Sequence, residues 1–128
     1  MEPSEPIEAI SAVTLLTADM AASVAFYASL GFRVAVGGTN AAFTTFRAGG
    51  SEAVPNFVNV QLDPSHDPTA PIWGRVIFWV DDVDAVHARA IAAGLTPEMA
   101  PADAPWGERY FHLRDPDGHE LSFAKPLS

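Results

Sequence analysis

The sequence predicts an α+β fold of two βαβββ modules, because one pattern of about twenty positions occurs twice at an offset of 63 residues. Residues 12–19 align with residues 75–82, and residues 30–32 align with residues 93–95. In each copy a strand-like segment precedes an aspartate, an amphipathic helix and a glycine. About sixty residues are too few for a well-buried core. We therefore expect the two modules to pack together as one domain, residues 1–128, with a site between them.

Module one is expected at about residues 9–62. Its first strand, residues 10–17, alternates and is rich in Val, Leu and Thr. Asp19 is placed to cap a helix that Gly31 ends. Two glycines make residues 48–51 a flexible loop. The other strands of this module are predicted at residues 32–36, 42–47 and 57–62, with a hairpin turn at residues 37–40.

Module two is expected at about residues 72–125, after a proline-containing linker at about residues 63–71. Asp82 begins a helix that runs to about Ala93. The sequence Asp-Pro-Asp-Gly at residues 115–118 suits a tight turn, because proline presets one dihedral and glycine accepts a positive φ. The strands of this module are predicted at residues 73–80, 96–99, 108–114 and 119–124, with a loop at residues 100–106.

Charge and composition exclude several classes of partner. The 128 residues carry a net charge of -9, spread over both halves, which repels nucleic acid and anionic membranes. The chain has no cysteine, and hence no thiolate metal site, which agrees with a reducing cytoplasm. Residues 1–8 are acidic and unlike a signal peptide, and no apolar run approaches the roughly 20 residues that span a membrane. We expect a soluble cytoplasmic protein without nucleic-acid or membrane partners.

Three segments resemble the vicinal oxygen chelate superfamily. They are residues 13–32 with Val-Thr, Phe-Tyr and Leu-Gly-Phe, residues 78–84 with Phe-Trp-Val-Asp-Asp, and residues 114–121 with Arg-Asp-Pro-Asp-Gly-His-Glu-Leu. That superfamily includes glyoxalase I, extradiol dioxygenases, fosfomycin-resistance enzymes, methylmalonyl-CoA epimerase and bleomycin-resistance proteins. The resemblance implies βαβββ modules whose sheets curl into a cupped, barrel-like cavity, commonly in a homodimer.

The resemblance also implies four positions where enzymes of the superfamily hold a divalent metal. Here these positions carry Ala12, Arg75, Ser122 and, depending on register, either Asn59 or Gln61. A methyl, a guanidinium, a hydroxyl and an amide do not form the usual anionic or imidazole shell. Glu120 lies on the same strand face as Ser122, but it is one carboxylate. We expect no metal and no cofactor, and the residues favour a non-catalytic role while leaving enzyme activity open.

The remaining candidates for ligand contact are aromatic or polar. Strand alternation places Trp79 on the face of Arg75, and Tyr110 on the face of His112. Aromatic and polar side chains on one strand face suit a flat, partly polar organic molecule. The same aromatic side chains would also serve to fill a sheet interface. The predicted ligand-binding residues are Trp106, Trp79, Tyr110, His112, Asn59, Gln61, Phe57, Arg75, Thr14 and Ser122.

Residues 105–116, together with residues 11–18, resemble the bleomycin-resistance proteins in particular, above all through Pro-Trp-Gly-Glu-Arg at 105–109. Those proteins lack the metal shell and are acidic dimers that sequester a cationic glycopeptide antibiotic at the dimer interface. The resemblance implies that Trp106 lies on the groove-forming loop and stacks on a planar ligand group. The expected function is antibiotic resistance by sequestration without catalysis, with a cationic or planar aromatic antibiotic as ligand. Arg75 would better suit an anionic or carbonyl-bearing ligand, which leaves the ligand's identity open.

Two other functions stay open. One is a lyase, isomerase or dioxygenase of the same superfamily, with a displaced metal site or with His112 or Glu120 as a base. The other is a binding module for a metabolite.

Several charged side chains are expected to be structural. His66 and His119 are expected to be solvated, and His87 is expected on the surface of its helix. Arg109 and Arg114 are expected to brace the turn at residues 115–118 by pairing with Asp115, Asp117 or Glu120.

Overall fold

The computed structural model describes Pro6 and residues 8–128, which form two four-stranded sheets with one helix each. The elements of the first half are β1 (Ala12–Thr17), α1 (Met20–Ser29), β2 (Arg33–Val36), β3 (Phe43–Gly50) and β4 (Pro55–Leu62). Those of the second half are β5 (Arg75–Trp79), α2 (Val83–Ala92), β6 (Ala102–Asp103), β7 (Glu108–Arg114) and β8 (Glu120–Pro126). The predicted order βαβββ, twice, is confirmed.

The two sheets share one topology. Their strand orders are β1-β4-β3-β2 and β5-β8-β7-β6, and in each the first and last strands of the module pair in parallel. Thr14 faces Asn59 across β1 and β4, and Ile77 faces Ser122 across β5 and β8. Both partners of the second pair lie 63 positions after those of the first. The register therefore makes Asn59, and not Gln61, the counterpart of Ser122.

Both helices begin at the predicted aspartates. Asp19 Oδ1 accepts a hydrogen bond from the backbone N–H of Ala22 at 3.1 Å, and Asp82 Oδ1 accepts one from Ala85 at 3.0 Å. These bonds satisfy backbone donors that lack a partner in the first turn of a helix. After α1, Gly31 adopts a φ of 103°, which an L side chain rarely adopts, and ends the helix. No helix in the described residues is long and apolar enough to cross a membrane.

Two predicted segments differ from the structure. The predicted loop at residues 48–51 is mostly strand, because β3 continues to Gly50, which pairs with Pro55 of β4. The strand predicted at residues 96–99 does not form, and the short strand of this region is β6, inside the predicted loop. Pro97 has no backbone N–H to give to a strand ladder, whereas Ala102 and Asp103 pair with β7.

One continuous core joins the two sheets. The rings of Phe32 and Phe78, one from each module, meet edge to face with centroids 5.1 Å apart. His87, expected on the surface, is half-buried with its ring edge-on to Phe111. The largest buried apolar and aromatic side chains of the core are Tyr27, Phe46, Val58, Val60, Phe111, Leu113, Leu121 and Phe123. The core therefore draws on both modules, as expected for units too small to fold separately.

The turn between β7 and β8 fastens one module to the other. The Tyr27 hydroxyl of α1 donates to Asp115 Oδ2 at 2.7 Å, and Asp115 Oδ1 accepts the backbone N–H groups of Asp117 and His119, each at 2.9 Å. Asp117 Oδ1 accepts the backbone N–H of Ala18 at 2.8 Å. Burial raises the pKa of Tyr27 well above its ordinary value, and Asp115 raises it further, so the phenol remains a donor.

The linker covers this turn. Gly118 has a φ of 83°, and a Cβ at this position would collide with the carbonyl oxygen of Pro68. Glycine is required here both by the dihedral angle and by the close approach of the linker backbone.

The expectation that His66 and His119 are solvated is wrong. The side chain of His119 is only 6% exposed, and its ring stacks on that of His66 with centroids 5.1 Å apart. His119 Nδ1 lies 3.0 Å from Trp73 Nε1, which can only donate, so His119 donates from Nε2 to the carbonyl of Leu16 at 2.8 Å. His66 Nε2 lies 2.9 Å from the carbonyl oxygen of Asp117. By folding onto the turn, the linker buries His119 and leaves His66 half-buried.

Replacing Tyr27 with Phe tests this connection. The variant leaves Asp115 Oδ2 buried without its donor, and we expect the free energy of unfolding to fall by about 1–3 kcal/mol at pH 7. Burial raises the pKa of Asp115 above its unfolded value, while the Tyr27 bond lowers it. Without that bond the pKa rises further, so the deficit is larger where Asp115 is ionised and shrinks in acid. Urea denaturation at pH 7 and pH 4 measures both effects.

Tyr110→Phe is the matched control, since the Tyr110 hydroxyl makes no side-chain hydrogen bond with any described residue. We expect it to change stability by less than about 0.5 kcal/mol. Equal losses in the two variants would contradict a connection through Asp115.

Candidate functional site

A cavity of about 200 Å³ lies on the outer face of the second sheet, away from the core. We call it the outer cavity, and its lining residues are Arg75, Ile77, Trp106, Glu108, Tyr110, His112 and Ser122. Alternation along the strands creates this face, because Phe111 of β7 and Leu121 and Phe123 of β8 lie on the opposite face and are buried in the core. The same strands therefore supply both core and cavity side chains.

Three aromatic rings follow one another along one wall of the outer cavity. Trp106 and Tyr110 have centroids 5.6 Å apart, and Tyr110 and His112 have centroids 5.1 Å apart. Trp106 is 67% exposed, so its ring is available to a ligand. We call these three residues the aromatic row. Its π faces can stack on a planar group or attract a cation.

Polar side chains close the two ends of the aromatic row. Trp106 Nε1 donates to Glu108 Oε1 at 2.9 Å, and His112 Nδ1 lies 2.6 Å from Ser122 Oγ. Glu108 thus brings a carboxylate to the indole edge, whereas the hydroxyl of Ser122 holds the imidazole against β8. The arrangement offers hydrogen bonds at both ends of an aromatic surface.

Arg75, which lines the outer cavity, forms an ion pair with Glu120 beside it. Arg75 and Glu120 are cross-strand partners on β5 and β8, and Arg75 Nε donates to Glu120 Oε1 at 2.6 Å, with Nη2 on the same oxygen. Burial raises the pKa of Glu120, but the hydrogen bond and charge of Arg75 together with the hydrogen bond from Glu98 and the charge of His112 outweigh burial, and the net pKa is lowered. The charge of Arg75 is therefore neutralised by a neighbour, which removes the argument for an anionic ligand in this cavity.

The first sheet carries an uncharged network at the corresponding place. Thr45 Oγ1 donates to Asn59 Oδ1 at 2.8 Å, and Asn59 Nδ2 donates to Thr14 Oγ1 at 3.2 Å. The network crosses β1, β4 and β3. Gln61, two residues farther along β4, is exposed.

The side chains at the superfamily's metal positions do not fit a divalent ion. Arg75 is engaged with Glu120, Ser122 with His112, and Asn59 with two threonines, while Ala12 offers no donor atom. Among the residues that the structure describes, no group of three or more His, Cys, Asp or Glu side chains is arranged to hold a metal. A guanidinium at one position and a methyl group at another are not ligands for such an ion.

The structure brings five of the predicted ligand-binding residues together. The outer cavity contains Arg75, Trp106, Tyr110, His112 and Ser122. Ile77 and Glu108 line it as well and were not selected from the sequence, although Glu108 could have been found from its position two residues before Tyr110 on the same strand face.

The other five predicted residues lie elsewhere. Thr14 and Asn59 belong to the network of the first sheet, beside Gln61. Phe57 lines a separate cleft with Val76 and Phe78, and Trp79 lines a cleft between the two sheets.

The two arginines expected to brace the turn pair with other carboxylates. Arg109 donates to both oxygens of Asp84 at 2.8 and 2.9 Å and to Asp103 at 2.9 Å, and Arg114 donates to Glu98 at 2.7 Å. The predicted partners in the turn are wrong: Tyr27 and backbone N–H groups use the oxygens of Asp115, and Arg75 pairs with Glu120. Arg109 instead joins β7 to the start of α2 and to β6.

Two βαβββ modules of the same topology, with a cavity on a strand face, are the features by which this fold is classified. A family model described as the Glyoxalase/Bleomycin resistance protein/Dioxygenase superfamily matches residues 9–123. The chain belongs to this superfamily, as the sequence resemblance predicted.

Solved structures similar to this chain include binding proteins and an enzyme. A bleomycin resistance determinant encoded on transposon Tn5 has a TM-score of 0.75 and 22% identity over 94% of this chain and 100% of that one. A bleomycin-binding protein complexed with bleomycin has a TM-score of 0.71 and 23% identity, over 93% and 98%. Lactoylglutathione lyase from Agrobacterium tumefaciens has a TM-score of 0.72 and 22% identity, over 94% and 96%. These likenesses show the fold.

Curated relatives match shorter segments. An uncharacterized protein of Mycobacterium bovis is 46% identical over 48 residues, which is 38% of this chain and 32% of the relative. The protein named "Putative glyoxylase CFP32" from the same organism is 44% identical over 59 residues, which is 46% of this chain and 23% of the relative. The matches thus span about a third or less of these relatives.

Glu120→Gln tests the ion pair between Arg75 and Glu120. The folded pKa of Glu120 is lowered, so the carboxylate stabilises the fold above its unfolded pKa, and this contribution is lost as pH falls through the folded pKa. We expect a loss of about 1 kcal/mol at pH 7, because solvent screens the half-exposed Arg75. The difference from the unmodified protein should shrink as pH falls from 7 through the folded pKa of Glu120. Urea denaturation across this range measures it.

Glu52→Gln is the control, because Glu52 is exposed and forms no salt bridge with any described residue. A pH-independent deficit for Glu120→Gln would show that packing, and not charge, is lost.

Proposed function

We propose that this protein is a non-catalytic small-molecule binding protein that confers antibiotic resistance by sequestration. The observation that supports it most is the aromatic row beside the Glu108 carboxylate in a cavity with no other unpaired charge. A planar group of the antibiotic would stack on Trp106 and Tyr110. A cationic group would meet Glu108 and the indole face.

Charge favours such a ligand. Arg75 and Glu120 neutralise each other, which leaves Glu108 as the net charge around the outer cavity. The chain as a whole carries -9. A field of this sign raises the rate of encounter with a cation, whereas aromatic stacking slows its release.

The comparisons support the proposal at the level of the family. Two structural neighbours are a bleomycin resistance determinant and a bleomycin-binding protein in complex with bleomycin. The segment at residues 105–109 resembles the groove-forming loop of such proteins. We place the protein in the cytoplasm, since the chain has no cysteine.

The complete groove would need a second copy of the chain. A volume of about 200 Å³ is below the roughly 300–1,000 Å³ of typical ligand sites. Ile77 and Trp79 are 56% and 72% exposed on the same strand face, and apolar side chains grouped in this way mark interfaces. A homodimer would cover this face and deepen the outer cavity into a groove.

Ile77→Asp tests the dimer. A carboxylate at the centre of an apolar interface is costly to desolvate, and we expect the variant to be monomeric at concentrations where the unmodified protein is a dimer. Light scattering after size-exclusion chromatography gives the mass directly.

Ile91→Asp is a closely matched control, because Ile91 is 54% exposed but lies on α2, away from the sheet face. Both variants add one negative charge. A monomeric unmodified protein, or dissociation of both variants alike, would contradict an interface on this face.

Titration with metal-free bleomycin and a panel of planar aromatic antibiotics tests the function. We expect saturable binding of one ligand per chain that chelator does not change and that Trp106→Ala weakens at least tenfold, as for a central aromatic contact. Calorimetry measures the affinity independently of the lost tryptophan signal, and tryptophan fluorescence gives a second readout.

Trp73→Ala is the control, since Trp73 is also exposed but contacts His119 outside the outer cavity. Absence of binding for every compound would contradict sequestration of this class of ligand. Equal weakening in the two variants would place the ligand elsewhere.

A second candidate is a lyase, isomerase or dioxygenase of the superfamily with a displaced metal site. The contact of His112 with Ser122 at 2.6 Å, close to the Arg75–Glu120 pair, favours it by placing a basic group in the cavity. One neighbour is a lactoylglutathione lyase, and one relative is named as a glyoxylase. Binding that appears only after a divalent metal is added would favour this candidate over sequestration.

A further inference from the structure

The cationic residues of this acidic chain fall into two sets. Four of the seven have partners: Arg75, Arg109 and Arg114 pair with carboxylates, and Lys125 donates to a backbone carbonyl. The remaining three are Arg33, Arg47 and Arg89, and none of them forms a salt bridge or a side-chain hydrogen bond with any residue between 8 and 128. In a chain with 16 carboxylates, unpaired arginines would be expected to lie far apart.

These three arginines instead lie in or beside one cleft between the two sheets. Arg33 and Arg47 are direct cross-strand partners on β2 and β3, so their side chains leave the same face of the sheet. Like charges in this position repel each other. Arg89 of α2 reaches across to the end of α1, where its Nη1 lies 3.6 Å from the place that a Cβ on Gly31 would occupy. Gly31 and Arg47 line the same cleft.

That cleft lies between the two sheets and has a volume of about 210 Å³. We call it the inter-sheet cleft, and its apolar lining includes Phe32, Ala48, Phe78, Trp79, Val80 and Phe123. Phe78 and Phe123 alternate along their strands with Ile77 and Ser122, which line the outer cavity. The two sites therefore lie on opposite faces of β5 and β8.

All three arginines are exposed and screened by water, but no described carboxylate pairs with any of them. The negative end of the α1 dipole accounts for Arg89 beside Gly31. It does not account for Arg33 and Arg47, which repel each other across two strands and have no carboxylate nearby to relieve the repulsion. An anion at the cleft would relieve it.

We propose that the inter-sheet cleft binds a small organic anion, namely a carboxylate on an aromatic or branched aliphatic body. The body would pack on the apolar lining, and the carboxylate would accept charge-assisted hydrogen bonds from Arg47 and Arg89 at the rim. The volume equals that of about seven water molecules at about 30 Å³ each. It therefore suits one ring with a short acid and excludes a long acyl chain.

Benzoate is the probe that tests this site. Titrated into ¹⁵N-labelled protein, it should cause saturable shifts in the amide signals of Gly31, Phe32, Ala48 and Val80. Arg47→Gln and Arg89→Gln should each weaken binding about tenfold or more, since each removes a charged donor. Benzamide has nearly the same shape without the charge, and it should bind at least tenfold more weakly.

Arg114→Gln is the matched control, because it removes the same charge from an arginine outside the cleft that pairs with Glu98. Its affinity for benzoate should stay within twofold of that of the unmodified protein. Equal weakening by Arg114→Gln would show that only the overall field attracts the anion. Absence of shifts at the cleft, or equal binding of benzamide, would overturn the site.

The test does not depend on the function proposed for the outer cavity. Trp106→Ala should leave benzoate binding unchanged, and Arg47→Gln should leave antibiotic binding unchanged. Shifts confined to Tyr110, His112 and Ser122 would place the anion in the outer cavity and overturn the proposal.

Discussion

The hydrogen bond from Tyr27 to Asp115 is the contact on which the arrangement of the two sheets depends. It joins the helix of one module to the turn of the other. The same turn also contacts Ala18, which follows β1, through Asp117, and the linker packs over Gly118. Helix α1, the residue after β1 and the linker thus all contact the four-residue turn at 115–118. Since β7 and β8 leave this turn in opposite directions, its geometry fixes their pairing, and that pairing brings His112 to Ser122.

Strands β7 and β8 of the second sheet each face the core on one side and the outer cavity on the other. Along β8, Leu121 and Phe123 fill the core, whereas Glu120 and Ser122 carry the ion pair and the hydroxyl of the site. A shift by one position would turn Leu121 and Phe123 out of the core and place Glu120 and Ser122 in it. The core therefore holds the site in place, because the register that buries Phe123 is the one that aligns Glu120 with Arg75.

Local signals in the sequence predicted most of the fold. The 63-residue repeat, the capping aspartates and the Asp-Pro-Asp-Gly turn depend on neighbouring residues, and they led to the correct order of elements. The errors concern distant partners. Burial of His119 follows from the linker folding onto the turn, and Arg109 finds Asp84 at a separation of 25 residues. The choice between Asn59 and Gln61 needed the strand register, and the neutralisation of Arg75 needed the pairing of β5 with β8.

The two faces of the second sheet differ in charge. The outer cavity has a surplus carboxylate, Glu108, whereas the inter-sheet cleft is lined by Arg47, with Arg89 beside its Gly31. Alternation along β5 separates them by a single residue, since Ile77 lines one site and Phe78 the other. A cation and an anion would therefore occupy opposite sides of one strand pair without competing for the same side chains.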